Sequence, residues 1–97
     1  MYKTVSVWRV KDGKSREAMA AIKTLVEYMT SKFDTKGEVY MQLFGPAGTI
    51  YTMGEFKDLA TFQAAQAKVM ADNGFWALAE KAAEVCDLPT IALLTPI

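Results

Sequence analysis

The sequence predicts an α+β fold, a four-stranded antiparallel sheet with both helices on one face. Three observations carry this. Segments rich in β-branched and aromatic residues alternate with stretches whose apolar residues recur at helical spacing. Turn-forming residues fall between these segments. The resulting order, strand–helix–strand–strand–helix–strand, is two β-α-β halves of similar length meeting at a Gly-Pro turn.

Tyr2 to Val10 is β-branched and aromatic and reads as the first strand. Lys11-Asp12-Gly13-Lys14 is a turn in which Gly13 is free to take a positive φ. Ser15 is a suitable N-cap for the next segment. From Arg16 to about Phe33, residues Ala18, Ile22, Leu25 and Met29 recur at helical spacing, and Met19, Val26 and Phe33 widen the stripe. Asp34-Thr35-Lys36-Gly37 ends this helix. Glu38 to Phe44 is the second strand, Gly45-Pro46-Ala47-Gly48 a compact turn, and Thr49 to Phe56 the third strand, so the pair forms a hairpin. Asp58 caps a helix from Leu59 to about Met70. Asp72-Asn73-Gly74 interrupts it, and Asp72 or Asn73 caps a further piece, Phe75 to about Val85. Pro89 opens the last strand, Thr90 to Thr95, and Pro96 closes it. This is the split β-α-β, or ferredoxin-like, plait.

Composition bounds the function. A chain of 97 residues predicts a single domain spanning 1–97. Eleven Lys and Arg balance eleven Asp and Glu, which argues against a nucleic-acid partner, since phosphate binding needs clustered surplus cations. A hydrophobic content of 52% argues against disorder. No apolar run approaches the ~20 residues of a membrane span, so no membrane partner is expected. The first residues show no leader pattern, and a lone Cys86 suits a reducing compartment, so a cytoplasmic location is expected. The absence of histidine removes Ser-His-Asp and Cys-His catalysis and His-ligated zinc or haem. No acidic cluster has metal spacing, and the Gly45–Gly48 turn joins two strands, so it cannot present phosphate to a helix N-terminus. No cofactor and no metal are expected. Cys86 reads as an inert small hydrophobe.

The strands predict an assembly. If Phe44 opposes Thr49, one side of the hairpin carries Val39, Met41, Leu43, Ile50, Thr52, Gly54 and Phe56, and the other Tyr40, Gln42, Phe44, Tyr51, Met53 and Glu55. The first strand divides into Thr4, Ser6, Trp8 and Val10 against Val5, Val7 and Arg9, and the last into Ile91 and Leu93 against Ala92 and Leu94. Neither side has the polar alternation of a wet face. The face carrying Val5, Val7, Tyr40, Phe44, Tyr51 and Met53 is an apolar patch of a size that monomers rarely expose. Its simplest cover is a second copy packed face to face about a two-fold axis. The alternative is a monomer with a few exposed aromatics. Arg9 and Glu55 fall on this face and are expected to pair with each other or across the interface.

Two stretches, Val10-Lys11-Asp12-Gly13-Lys14 and Gly54-Glu55-Phe56-Lys57-Asp58-Leu59-Ala60, resemble the dimeric α+β barrel superfamily. The segment Met70-Ala71-Asp72-Asn73-Gly74-Phe75-Trp76 is similar to the acidic-aromatic segment of its antibiotic-biosynthesis-monooxygenase-like and NIPSNAP-like domains. The resemblance spans nearly the whole chain in element order. It implies a homodimer whose sheets close into a barrel, with a pocket between sheet and helices in each subunit. Cofactor-free monooxygenases of this group use an Asn and a Trp on the third strand and a Tyr early in the second helix. The corresponding positions here are Thr52, Phe56 and Phe62. The haem-degrading members use an Asn, a Trp and a His where this chain has Ser6, Ala65 and the Ala79–Glu80 region. Quinol-type oxygenation relies mainly on the substrate's own reactivity with oxygen, while the protein supplies desolvation, orientation and hydrogen bonds.

The candidate ligand-binding residues are Ser6, Trp8, Tyr28, Thr52, Phe56, Phe62 and Trp76. Ser6, Trp8, Thr52 and Phe56 share the helix-facing side, where Gly54 removes a side chain and two hydroxyls can orient a flat ligand. The competing reading makes Gly54 a bulge or a helix contact and the hydroxyls locally bonded. Phe62, Phe75 and Trp76 face the same space or its mouth, or are simply core. Tyr28 reaches the pocket as a donor or lies at the helix rim. The expected function is a homodimeric pocket protein, a cofactor-independent monooxygenase-like enzyme on an aromatic or polyketide-like molecule. The alternative is a non-catalytic ligand-binding or scaffold homodimer.

Overall fold

The computed structural model describes residues 1–33, 35–44 and 48–97. Its elements are β1 (Tyr2–Arg9), α1 (Ser15–Phe33), β2 (Lys36–Met41), β3 (Thr49–Phe56), α2 (Leu59–Met70), α3 (Asn73–Val85) and β4 (Thr90–Leu94). The strands form one antiparallel sheet in the order β2-β3-β1-β4. This is the ferredoxin-like plait, with the second helical stretch broken where Asp72 interrupts it. No helix among the described residues is long and apolar enough to cross a membrane.

The local signals act as their chemistry demands. Gly13 takes φ +75° in the turn after β1. Asp58 accepts a hydrogen bond from the Thr61 backbone N–H at 2.7 Å and so caps α2. Asp72 does the same for α3 through Phe75 N–H at 2.8 Å. Ser15 is the first residue of α1 rather than its cap, and Lys14 O accepts from Ala18 N–H. β1 stops at Arg9, with Val10 bridging singly to Cys86. β4 stops at Leu94, one residue short of the expected end.

The largest departure is β2, which begins two residues earlier than expected and ends at Met41. Gly37 therefore lies inside a strand and does not stop α1. The reason is a close approach. A Cβ at Gly37 would stand 2.8 Å from Val26 Cγ1 and 2.9 Å from Thr30 Oγ1, so only glycine lets α1 sit this low on β2. Met41 faces Ile50 and Tyr40 faces Tyr51, and Gln42 N–H reaches Thr49 O. Gln42, not Phe44, thus stands opposite Thr49. The shift is two residues, so every side chain keeps its expected face. Phe44 lies beyond the strand and is 91% exposed. Residues 45–47 of the expected Gly45–Gly48 turn and Asp34 of the expected helix end lie outside the described residues.

The core is gathered at one end of the helix side. Ala18 and Ile22 of α1, Ile50 of β3 and Cys86 form a buried cluster, with Trp8, Val10, Val26 and Val85 packed around it. α1 packs chiefly on α3 and β2, and α2 touches its neighbours sparingly. Backbone bonds from Lys11 N–H to Val85 O and from Asp87 N–H to Arg9 O, both 2.9 Å, tie the end of α3 to β1. Burial, with Asp87 adding to it, pushes the Cys86 thiol up, which keeps it protonated and unreactive.

The registers sort the strand residues into two faces. The helix side holds Tyr2, Thr4, Ser6 and Trp8, Gly37, Val39 and Met41, Ile50, Thr52, Gly54 and Phe56, and Ile91 and Leu93. None is charged. The charged strand residues, Lys3, Arg9, Lys36, Glu38 and Glu55, all fall on the open side. There Val5, Val7, Tyr51 and Met53 are half-buried by sheet neighbours alone, and Tyr40 is 47% exposed. The expected Arg9–Glu55 pair does not form within the chain. Glu55 pairs instead with Lys3, its cross-strand partner, at 3.5 Å. Arg9 faces Thr49 at the far end of the same ladder, about 20 Å away at strand rise.

Candidate functional site

β1 and β3 are the central strands, so their helix-side residues should be the most deeply covered. They are covered at one end only. Ile50 is buried and Trp8 packs on the core, whereas Thr4, Ser6, Thr52, Gly54 and Phe56 stay partly exposed. The opening continues onto β4. Ile91, the partner of Ser6, is 65% exposed, and Leu93, the partner of Thr4, is 40% exposed. The cause lies in the helices. α3 packs mainly on α1, which leaves the helix side of β4 bare.

The slot is built from diagonal and direct cross-strand neighbours. Ser6 faces Thr52, and Trp8 Nε1–H donates to Thr52 Oγ1 at 3.1 Å. That bond fixes the indole and leaves the Thr52 O–H free to donate elsewhere. The Ser6 hydroxyl has no hydrogen-bond partner among the described residues. Gly54 sits in regular pairing with Thr4 and Gly37, so it marks no bulge. A Cβ there would stand 2.9 Å from Thr4 Oγ1, so the Thr4 hydroxyl uses part of the room that glycine leaves. Phe56 and Phe62 meet edge to face at 5.2 Å, joining α2 to the lower end of the slot. This stretch of the helix side is partly exposed and presents the Thr4, Ser6 and Thr52 hydroxyls among apolar side chains. It contains no carboxylate, amine or imidazole to move a proton.

Tyr28 and Trp76 belong to a second group, where α1 meets the corner between α2 and α3. The Tyr28 O–H donates to Asp72 Oδ2 at 2.6 Å and accepts from Lys32 Nζ at 3.1 Å. Lys32 Nζ stands 2.6 Å from Asp72 Oδ1 and 5.5 Å from the centre of the Tyr28 ring. The hydrogen bond from Lys32, then that from Tyr28, hold the Asp72 carboxyl down at about 2. The same contact with Asp72 raises Lys32. Trp76 Nε1–H donates to Met70 O at 2.8 Å, and its ring meets Phe75 edge to face at 5.3 Å. The sequence-predicted residues therefore fall into two sets. Ser6, Trp8, Thr52 and Phe56 lie on the helix side of β1 and β3, Phe62 of α2 meets Phe56, and Tyr28 and Trp76 lie at the corner.

Sequence reasoning passed over Ile91 and Leu93, although strand alternation already placed them on one side. It read Asp72 only as a cap. The spacing of Tyr28 and Lys32, four residues apart on one helix face, was the available sign of a shared partner. It also missed an open groove of about 590 Å³ between α1 and β2, floored by Met19, Val26, Val39, Met41 and Ile50. A smaller hollow of about 290 Å³ lies among Met1, Lys3 and Leu94–Pro96. Neither hollow reaches Ser6, Thr52 or Phe62. Among the described residues no group of three His, Cys, Asp or Glu side chains could hold a metal ion.

The chain matches no family profile, and no curated protein matches it in sequence. Solved structures do match it in fold. A NIPSNAP domain protein from Burkholderia xenovorans superposes with a TM-score of 0.86 at 14% identity, over 100% of this chain and 95% of that one. A NIPSNAP family protein of unknown function from Agrobacterium tumefaciens gives a TM-score of 0.83 at 17% identity, over 99% of this chain and 87% of that one. SnoaB, a cofactor-independent oxygenase from Streptomyces nogalater, gives 0.76 at 13% identity, over 99% and 92%. At these identities the likeness establishes the fold, the same plait found in the NIPSNAP and antibiotic biosynthesis monooxygenase structures.

Proposed function

We propose that this protein is a homodimer that binds an uncharged aromatic or polyketide-like molecule on the helix side of β1 and β3 and oxygenates it without a cofactor. The observation that carries the reading is the slot itself. On the two central strands an uncharged surface stays open, with the Ser6 hydroxyl unpartnered and the Thr52 O–H free. Solvent-reachable hydroxyls beside an apolar surface can hydrogen-bond a ligand that settles there. The likeness to SnoaB supports the chemistry.

With no carboxylate, amine or imidazole there, the reaction draws on the substrate. An activated ring methylene flanked by phenolic groups loses both hydrogens and gains one oxygen atom as a carbonyl. The second atom of dioxygen leaves as water, and all the electrons come from the substrate. Solvent water takes the proton that the substrate loses, Ser6 and Thr52 donate hydrogen bonds to the resulting anion, and Trp8, Phe56 and Phe62 hold the ring. Docking of two open faces through Val5, Val7, Tyr40, Tyr51 and Met53, with Phe44 at the margin, covers the apolar surface that the helices leave bare.

The test is a panel of phenolic polycyclic compounds, followed by oxygen uptake and product mass. Uptake that depends on the protein and falls about tenfold or more in Ser6→Ala/Thr52→Val supports the reading. The absence of a carboxylate, amine or imidazole there favours a second reading, a binding protein without turnover. Saturable binding with no oxygen uptake would establish that one instead.

A further inference from the structure

We propose that the groove between α1 and β2 is a second binding site, and that it takes a single uncharged aliphatic chain with an oxygen-bearing end, such as a fatty alcohol. None of Ser6, Trp8, Thr52, Phe56 and Phe62 lines it. The groove lies on the helix side, so the docking of two open faces proposed above leaves it uncovered.

The groove exists because α1 meets β2 closely at one end only. At that end Gly37 has no side chain, and Val26 and Thr30 stand where a Cβ would be crowded. Further along β2, Val39 and Met41 also belong to the helix side, yet they are 37% and 56% exposed, and Met19 of α1 is 39% exposed. Ala18 and Ile22, on the neighbouring face of α1, are fully buried in the core and fix where the helix stands. The result is an open hollow of about 590 Å³. Its α1 wall runs from Met19 to Ser31, about 18 Å at helical rise, so the hollow is a long channel within the volume range of single small-ligand sites.

Floor and rim define the occupant. Met19, Val26, Val39, Met41 and Ile50 form the floor, with no charge and no aromatic ring among them. A long floor of thioethers and branched aliphatics fits a flexible chain and offers a flat ring no stacking partner. Covering it removes apolar surface from water, which is the driving force for binding. The polar groups stand on α1. Lys23, Glu27, Thr30 and Ser31 are all exposed, and no side chain of the four is bonded to another described residue. The ammonium of Lys23 and the carboxylate of Glu27 lie one helical turn apart and offset each other, so a charged head gains little there. A hydroxyl or ester oxygen can accept from Lys23, Thr30 or Ser31 without meeting a net charge.

Nuclear magnetic resonance of isotope-labelled methionine methyl groups reads the site directly, because two of the six methionines line it. Decanol, titrated below its solubility limit, is expected to shift Met19 and Met41 together and saturably while Met53 and Met70 stay in place. Met19→Leu and Met41→Leu assign the two signals. Val39→Trp fills the channel at an exposed position and should weaken decanol binding about tenfold or more. If it does not fold, Met41→Gln decides, since it puts an amide into the floor at a residue already more than half exposed and should weaken binding about threefold or more. Decanoate and decylamine should each bind about threefold or more weaker than decanol. No saturable shift at Met19 and Met41, equal shifts at every methyl, or unchanged affinity in the folded channel variant overturns the site. Equal or tighter binding of decanoate or decylamine overturns the uncharged occupant. Ser6→Ala/Thr52→Val should leave the decanol shifts unchanged, and a loss there would move decanol to the other surface and overturn the site. The groove and the oxygenase reading therefore fail separately.

Discussion

The two faces of the sheet are both apolar and yet unlike. The helix side has no charge on any strand, and its exposed part mixes hydroxyls with Ile91, Leu93 and Phe56. The open side has an apolar centre of Val5, Val7, Tyr51 and Met53 bordered by Lys3, Glu55, Lys36, Glu38 and Arg9. An apolar middle with a charged border is the anatomy of a protein interface. An uncharged slot with a few hydroxyls suits a small molecule. Under the proposed function similar hydrophobicity serves two different partners, and the placement of the polar groups is what distinguishes the faces.

The largest expected effect breaks the open face. Met53→Glu puts a carboxylate at the centre of the proposed interface, which should weaken self-association by about 3–5 kcal/mol, or a hundredfold or more. Sedimentation velocity across a dilution series reads it, and an unchanged dimer would remove the open face from the assembly. A second comparison sharpens the helix side. Ile22→Ala, at a fully buried position, should cost about 2–5 kcal/mol of unfolding free energy, whereas Ile91→Ala should cost well under about 1 kcal/mol. Equal losses in urea titration would mean that the slot over β4 is closed.

The corner adds a dependence on pH. The Asp72 carboxyl is lowered from 3.8 to about 2, so its contribution is fully present above about pH 4 and is lost as the pH falls toward 2. Thermal melts over that window should show a shallower acid decline in Asp72→Asn than in the parent. The smallest effect is expected at Ser6. Its hydroxyl has no partner among the described residues, so Ser6→Ala should leave the melting temperature nearly unchanged while weakening the binding of a ligand on this face. A marked loss of stability would mean that the hydroxyl is structural.

Element types and faces were legible in the residues because they depend on local chemistry. Asp58 and Asp72 are caps wherever a helix follows them. Alternation assigned Ser6, Trp8 and Thr52 to one side and Tyr51 and Met53 to the other, and a register shift of two residues left that assignment intact. The start of β2 was not legible. Gly37 after a helix reads as a stop, and only the proximity of Val26 and Thr30 shows it to be a strand residue under a helix. The partner of Glu55 was likewise hidden. Arg9 and Lys3 share a face, and the ladder alone selects Lys3.

Composition and periodicity were enough for the plait, for an apolar surface beyond what two layers hide, and for the exclusion of histidine chemistry. Each of these follows from residues close in sequence, whose pattern constrains only their own segment. The open end of the slot, the gathering of Tyr28, Lys32 and Phe75 on Asp72, and the groove beside β2 arose from packing. They depend on where α3 settles relative to α1 and β4, a balance among contacts between segments far apart in the chain, and no local pattern records that balance.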